Sequence, residues 1–280
     1  RFGAQRVIDS PLAEATMVAA AYGAALGGYR VVVEIMFMDF ATLSMDALVN
    51  QAAKARVMFG DQFDVPMVVR TPHGAGLNAG AQHSQCLEAW FAHVPGLKLV
   101  CPSNAADAYD LMRAAIDDPD PVVFVEHKRL YEETQKLLRA KEPAEIGSAN
   151  IARAGDDITI VAYGAAVYWA MSAATALAEE KLEVEVIDLR SLQPWDEAKV
   201  LASIAKTHRL MIVHEAVEAF GVGAEIAPRI VGRGFEWWHA PIRRIAAPHV
   251  PVPAAPSLEE RYVPSAVQIV ECARALHAYR

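Results

Sequence analysis

The sequence predicts two consecutive α/β domains, each a mostly parallel sheet flanked by helices. Three observations point there. Apolar runs of strand length alternate with longer helical stretches, the pattern of parallel α/β layers. The alternation stops once, between His127 and Gly147, where charge density rises, and resumes at Asp157. The length of 280 residues also exceeds what one core comfortably fills. The implied division is a first domain at 1–135, a linker at 136–150 and a second domain at 151–280.

Element by element, Val31-Val32-Val33-Glu34-Ile35-Met36 reads as a buried strand, followed by a helix from Ala41 to about Met58. Val65 to Arg70 is a second strand, with Pro66 near its start where a sheet tolerates the missing donor. Leu97 to Cys101 and Val122 to Glu126 are two more. Between them a helix begins near Asn104, whose side chain suits an N-cap, with Asp107 in the first turn. Lys128-Arg129, Glu132-Glu133 and Lys136 then mark a linker crossing the surface. The second domain reads as strand Ile158–Ala162, helix from Ala165, strand Val184–Ile187 and helix from Trp195. Strand Leu210–Val213, helix from Gly221 and strand Ile242–Ile245 complete it.

Composition narrows the function. Hydrophobic residues make up 54% and charged residues 21%, ample for a buried interior. The net charge of −8 gives no electrostatic reason to expect nucleic acid or an anionic membrane as partner. No apolar run reaches the ~18 residues of a membrane span. Cys86, Cys101 and Cys272 lie far apart and form neither a zinc pattern nor a disulfide framework. With no secretory segment visible, a reducing cytoplasm is the simplest setting.

Four segments can carry chemistry. In Asp9-Ser10-Pro11-Leu12-Ala13-Glu14, Ser10 can cap a helix whose first position is Pro11, leaving Glu14 one turn in. Glu14 then either favours the positive helix end or serves a ligand. Glu34 to Phe40 ends a strand in large side chains, and an aromatic there is either core or a surface on which a ring stacks. The run from Thr71 to Gln85 is a Gly-rich loop after a strand, closing with Gln82-His83-Ser84-Gln85. It matches neither the P-loop nor GxGxxG, and its His83 is either an acid/base group or an inert surface residue. Fourth, His214-Glu215 precedes Phe220-Gly221-Val222-Gly223-Ala224-Glu225. Those glycines make a structural turn or accept an anion at a helix end; HExxE is not the HExxH of zinc proteases.

Together these segments resemble one family along nearly the whole chain: the β subunit of the first component of 2-oxo-acid dehydrogenases (pyruvate, branched-chain and acetoin types), in the transketolase superfamily. The resemblance is carried by Arg6 to Glu14, Glu34 to Phe40, Asn50-Gln51-Ala52-Ala53-Lys54, Gly80 to Gln85 and Phe220 to Glu225. It implies a thiamine-diphosphate pyrimidine-binding domain followed by a transketolase C-terminal-like domain. Glu14 falls where the family places the glutamate that hydrogen-bonds the aminopyrimidine ring. Phe40 matches the aromatic stacked on that ring, with Gln82 beside the cofactor. His83 matches a histidine that handles protons as the acyl group passes to a lipoyl arm.

The family's diphosphate-and-metal motif, Gly-Asp-Gly followed by Asn-Asn, does not occur here; Ala154-Gly155-Asp156-Asp157 is not it. The resemblance therefore implies no metal on this chain and Mg²⁺ on a separate α subunit. It further implies an α2β2 heterotetramer, docking onto a lipoyl-bearing acyltransferase and a small 2-oxo acid or acetoin as substrate. Family members usually carry several dozen residues before the segment matching Arg6, so the first domain is expected to be N-terminally truncated or, if the chain is complete, short of a central strand. His73 stands where relatives commonly have Gly or Asn. Three other readings compete: a fragment of another transketolase-superfamily enzyme, a non-catalytic scaffold subunit, and a nicotinamide-binding Rossmann protein that would lack its glycine fingerprint.

Overall fold

The computed structural model describes residues 1–135 and 143–279, so Lys136 and the linker residues to 142 lie outside the described part. The first domain runs α1 (Glu14–Leu26), β1 (Val31–Glu34), an irregular helical stretch (Met38–Lys54), α2 (Ala55–Met58), β2 (Met67–His73) and α3 (Glu88–Ala92). It continues through β3 (Lys98–Val100), α4 (Ala105–Asp117) and β4 (Val122–His127). The second holds β5 (Asn150–Arg153), β6 (Ile158–Ala162), α5 (Ala166–Ala178), β7 (Val184–Asp188) and β8 (Ser191–Gln193). After these come α6 (Glu197–Thr207), β9 (Leu210–Val217), α7 (Val222–Arg233), β10 (Arg243–Ala247), α8 (Pro256–Tyr262) and α9 (Ala266–His277).

Each domain has a five-stranded sheet, ordered β1-β2-β4-β3-β8 and β10-β9-β6-β7-β5. All pairings are parallel except the outermost β3–β8 and β5–β7. Strands β6 and β7 are buried at every position, as expected where helices cover both faces of a parallel sheet. One strand crosses over: β8 belongs in sequence to the second domain yet closes the edge of the first sheet, Leu99 opposite Gln193. The apolar core is also shared. A single cluster joins Met67, Val69 and Val123 of the first domain to Val161, Ile187 and Ile212 of the second.

The strand expectations hold in type, with ends shifted by a few residues, and Asn104 caps α4 by accepting from the Asp107 amide at 2.9 Å. Two helical expectations change. The stretch expected as one helix from Ala41 winds as a 3₁₀ turn over Met38–Ser44, a π turn over Asp46–Gln51 and a 3₁₀ turn over Ala52–Lys54 before α2. Apolar periodicity senses a buried face but not how closely another backbone approaches it. Here Gly96, at φ +98°, lies so near that a Cβ on it would sit 2.0 Å from the Ala53 carbonyl oxygen. Ser10 and Pro11 do not start a helix either. Helix α1 begins at Glu14, its N-cap Ala13 has no side-chain cap, and residues 1–13 are exposed throughout. The buried positions of α1 are Val18, Ala21 and Ala25. Residues before Glu14 bury nothing that would offset the entropy of ordering them as a helical turn.

Register sets the site. Strands β2 and β4 pair from Val68 with Val122 to His73 with His127, bringing both histidines to the carboxyl ends of adjacent central strands. Parallel sheets present ligands at that end.

Candidate active site

Helix α1 packs against the 3₁₀ turn that carries Phe40. Glu14 occupies the first helical position, where the helix dipole favours its negative charge. It is partly exposed, and among the described residues nothing hydrogen-bonds to its carboxylate. Phe40 is half-buried, its ring edge-on to Phe37 at 6.2 Å and to His83 at 5.3 Å. His83 also meets Phe37 edge-on at 4.9 Å. The structure thus brings Phe40 and His83 together, with α1 behind. Gln82 is exposed and its side chain bonds to none of the described residues.

His83 sits near the end of a loop, residues 74–85, between β2 and α3. The loop has few hydrogen bonds of its own: His83 N to Gly80 O at 3.2 Å and Gly74 N to Gln85 O at 3.4 Å. Buried charged groups hold it instead. The Lys128 ammonium donates to the His83 carbonyl and lies 5.1 Å from the Phe37 ring centre. Asp39 accepts from the Gln85 amide at 3.2 Å and from its side chain at 2.8 Å. From the second domain, Glu215 accepts from the Ala75 amide. Glu259 accepts from Gly76 at 2.8 Å and Asn78 at 3.0 Å.

Lys128 overturns part of the surface-linker reading. Both it and His127 are buried, at 4% and 2% exposed, because β4 extends past Glu126 and delivers them to the domain seam. Burial pulls the Lys128 ammonium below its ordinary value, against the charge of nearby Asp39.

Behind the loop lie two buried histidine–carboxylate pairs. His127 Nε2 meets Glu215 Oε2 at 2.7 Å, while its Nδ1 accepts from the Arg129 amide at 3.2 Å. With Nδ1 accepting, the network assigns the proton to Nε2, which donates to Glu215. Burial opposes ionisation of Glu215, but His127 and the Ala75 amide outweigh it and bring the carboxyl down to about 2. Burial lowers His127 as well, so the pair is a carboxylate accepting from a neutral ring. In the second pair Glu88, fully buried, accepts from Tyr163 at 2.7 Å and meets His73 Nδ1 at 3.3 Å. Burial opposes its ionisation too, yet the charge and hydrogen bond of His73 and the Tyr163 hydroxyl hold it below the usual range.

These pairs require small residues around them. A Cβ on Gly74 would lie 2.3 Å from His127 Nε2. Cys86, close to Glu215, has its thiol pushed well up by burial and then by Glu88, so it is not a thiolate nucleophile. Donor atoms of His73, Cys86 and Glu88 lie within 4.8 Å of one another, but both Glu88 oxygens and His73 Nδ1 already have partners.

Sequence reasoning proposed Glu14, Phe40, Gln82 and His83, named Glu215 only within the His214-Glu215 segment and gave it no partner, and did not single out Glu88, Tyr163 or Glu259. For Glu215 a signal existed. His214-Glu215 interrupts the otherwise apolar strand Leu210–Val217, and a charge inside a buried strand must have partners. The glycines that follow do not form the turn, which falls on Ala219-Phe220: Gly221 is the N-cap of α7 and Gly223 lies in its first turn, and Cβ atoms on them would each lie 2.8 Å from the buried His214 ring.

Comparison with known proteins agrees with this architecture. Residues 1–134 match the transketolase pyrimidine-binding domain family, and residues 147–269 the transketolase C-terminal domain family. The chain is 45% identical over 278 residues to the mitochondrial pyruvate dehydrogenase E1 component subunit beta-2 of Oryza sativa subsp. japonica, covering 98% of this chain and 74% of that one. It is also 45% identical over 269 residues to the acetoin:2,6-dichlorophenolindophenol oxidoreductase subunit beta of Cupriavidus necator, covering 96% and 80%. A solved split-gene transketolase, an inactive beta4 tetramer, superposes with a TM-score of 0.80 at 20% identity, over 96% of this chain and 82% of that one. That last likeness speaks for the fold alone. The chain belongs to the family of 2-oxo-acid and acetoin dehydrogenase first-component β subunits, oxidoreductase components built on the transketolase pyrimidine-binding and C-terminal domains.

Proposed function

We propose that this chain supplies the pyrimidine side of a thiamine-diphosphate site, completed by an α subunit, for oxidative decarboxylation of a small 2-oxo acid or cleavage of acetoin. The observation that carries the reading is the contact of His83, on a loop held by buried charges, with Phe40 on the 3₁₀ turn that packs against the helix starting with Glu14. The residues present fit the cofactor's ring. Glu14 offers a carboxylate that bonds to none of the described residues, and Phe40 offers a half-buried aromatic side chain. When bound, thiamine diphosphate supplies a cationic ring that accepts the electrons released as the substrate's carbon–carbon bond breaks.

The chain's own groups would then do three things. Glu14 holds a proton at the pyrimidine nitrogen, setting the ring's tautomer. Phe40 fixes the ring plane. His83 moves a proton at the sulfur of a lipoyl group as its disulfide opens, a general acid–base role suited to imidazole. The reading places the diphosphate and Mg²⁺ on the α subunit, where the family resemblance implies the Gly-Asp-Gly and Asn-Asn motif to sit. Exposed aromatics support an assembled state: Phe220 is 90% and Trp90 52% exposed, and both line one broad groove between the domains. An α2β2 tetramer docked on a lipoyl acyltransferase is the assembly this implies. No helix among the described residues is long and apolar enough to cross a membrane. The setting we propose is the cytoplasm, with the mitochondrial matrix after processing as the alternative.

The test is co-expression with an α subunit of this family, followed by thiamine-dependent dye reduction on pyruvate, branched-chain 2-oxo acids and acetoin. A stable complex with turnover on one of them bears the reading out and identifies the substrate. A complex that binds cofactor and turns over none of them favours the scaffold reading.

A further inference from the structure

We propose that Glu259, in the second domain, is a positioning residue for His83: it clamps the 74–85 loop, so the C-terminal domain takes part in the acyl-transfer step without touching substrate. This rests on the role proposed above for His83. Glu259 lies on α8 and is 3% exposed. Its two carboxylate oxygens take different amides, Oε1 from Gly76 at 2.8 Å and Oε2 from Asn78 at 3.0 Å. Successive backbone N–H groups converging on one anion form a nest. A charged acceptor makes each of those bonds stronger than a neutral one would.

The loop needs such an anchor because it does not hold itself. Leu77, Asn78 and Ala79 are exposed, so packing contributes little at its tip. Its remaining ties to other elements lie on either side of that tip, at Ala75 through Glu215 and at His83 and Gln85 through Lys128 and Asp39. Glu259 is the tie in between. The sequence around it is adapted to the clamp. Gly76 sits at φ +115°, which L side chains rarely adopt, and a Cβ there would lie 2.4 Å from Arg129 Cγ. Arg129 Nη2 in turn stands 3.8 Å from Glu259 Oε1, so its charge faces the clamp from the first domain. Released at this point, the loop would keep its fold at both ends and lose the fixed path leading to His83. A small misplacement of an acid–base group is costly to rate.

The experiment uses the complex assembled with its α subunit and two variants that attack the clamp from opposite sides. Glu259→Gln keeps the shape of the side chain but sets an NH₂ against one of the two amides. Gly76→Ala disturbs the loop side without touching α8. Hydrogen exchange of peptides spanning 74–83 is expected to rise on the order of ten-fold in both, while exchange elsewhere stays as in the parent, as a local opening requires. Acylation of a free lipoyl domain is expected to fall on the order of ten-fold through kcat, dye-linked decarboxylation by a smaller factor, and KM for the 2-oxo acid to hold. Unchanged exchange at 74–83 in both variants overturns the clamp. Raised exchange with acylation unchanged overturns the positioning role, provided His83→Ala depresses acylation in the same assay. If His83→Ala leaves acylation intact, the assignment of His83 itself has failed, and the catalytic role of the clamp falls with it.

Discussion

The two ends of the proposed site are built differently. Around His83 the chain is preorganised: two phenylalanine rings meet the imidazole edge-on, Lys128 holds its carbonyl, and carboxylates from both domains grip the loop. Around Glu14 it is open. The carboxylate stands at a helix start behind an exposed segment and bonds to none of the described residues. One end is a finished instrument within the chain, whereas the other offers a single group to whatever binds beside it. The proposed roles account for the difference: a proton-moving residue needs a fixed position before its substrate arrives, and a ring-binding carboxylate needs a free oxygen.

The largest effect separating the two ends is expected from Glu14→Gln. Dye-linked turnover in the α-complexed protein should fall by about 10²-fold or more, the range of a lost proton-transfer group, with copurification retained. Near-parental turnover would remove Glu14 from its role. Next comes His83→Ala, expected to lower lipoyl acylation by about 10²-fold and decarboxylation by less. Equal losses in the two half-reactions would mean that the two ends do not divide the chemistry as described.

A second contrast, between two buried carboxylates, sharpens the first. Glu215 is brought down to about 2 by His127 and the Ala75 amide. Asp188 is pushed up to about 7, chiefly by burial, although Ser103 and the Arg190 amide bond to it. The signs are opposite. Glu215 stabilises the fold above its ordinary value and loses that contribution as pH falls from 4.5 toward 2. Asp188 favours the fold while protonated, so its contribution is lost as pH rises from 3.8 to 7. Thermal unfolding followed from pH 4 to pH 8 should therefore show a decline that Asp188→Asn flattens. Over the same range Glu215→Gln should lower stability by roughly 1–3 kcal/mol, the cost of weakening a buried hydrogen-bonded group. A decline that persists in Asp188→Asn would assign it to another group. The smallest expected effect is Asn104→Ala, about 1 kcal/mol from a lost helix cap far from the loop; urea denaturation measures it and sets the scale for a change that leaves both half-reactions alone.

Much of this protein was legible before folding. The strands Val122–His127, Ile158–Ala162 and Val184–Asp188 are mostly apolar, with Val122–Val125 an unbroken run, and parallel sheets covered on both faces need such strands. Asn104 announced its helix by side-chain chemistry. Glu14, Phe40 and His83 were proposed through motif resemblance, because taken singly each has an ordinary structural reading. Strand β8 was not legible. Three residues carry too little periodicity, and their place on the first sheet depends on an edge supplied by β3.

Local chemistry along the chain, then, determined most element types and the two-domain order, since apolar spacing and capping act over a few neighbouring residues. The tertiary structure alone decided which charges became partners. Glu259 is 183 residues from Gly76, and Glu215 is 140 from Ala75 and 88 from His127. A buried charge is tolerated only where packing brings it a partner, and no local pattern records where along the chain that partner lies.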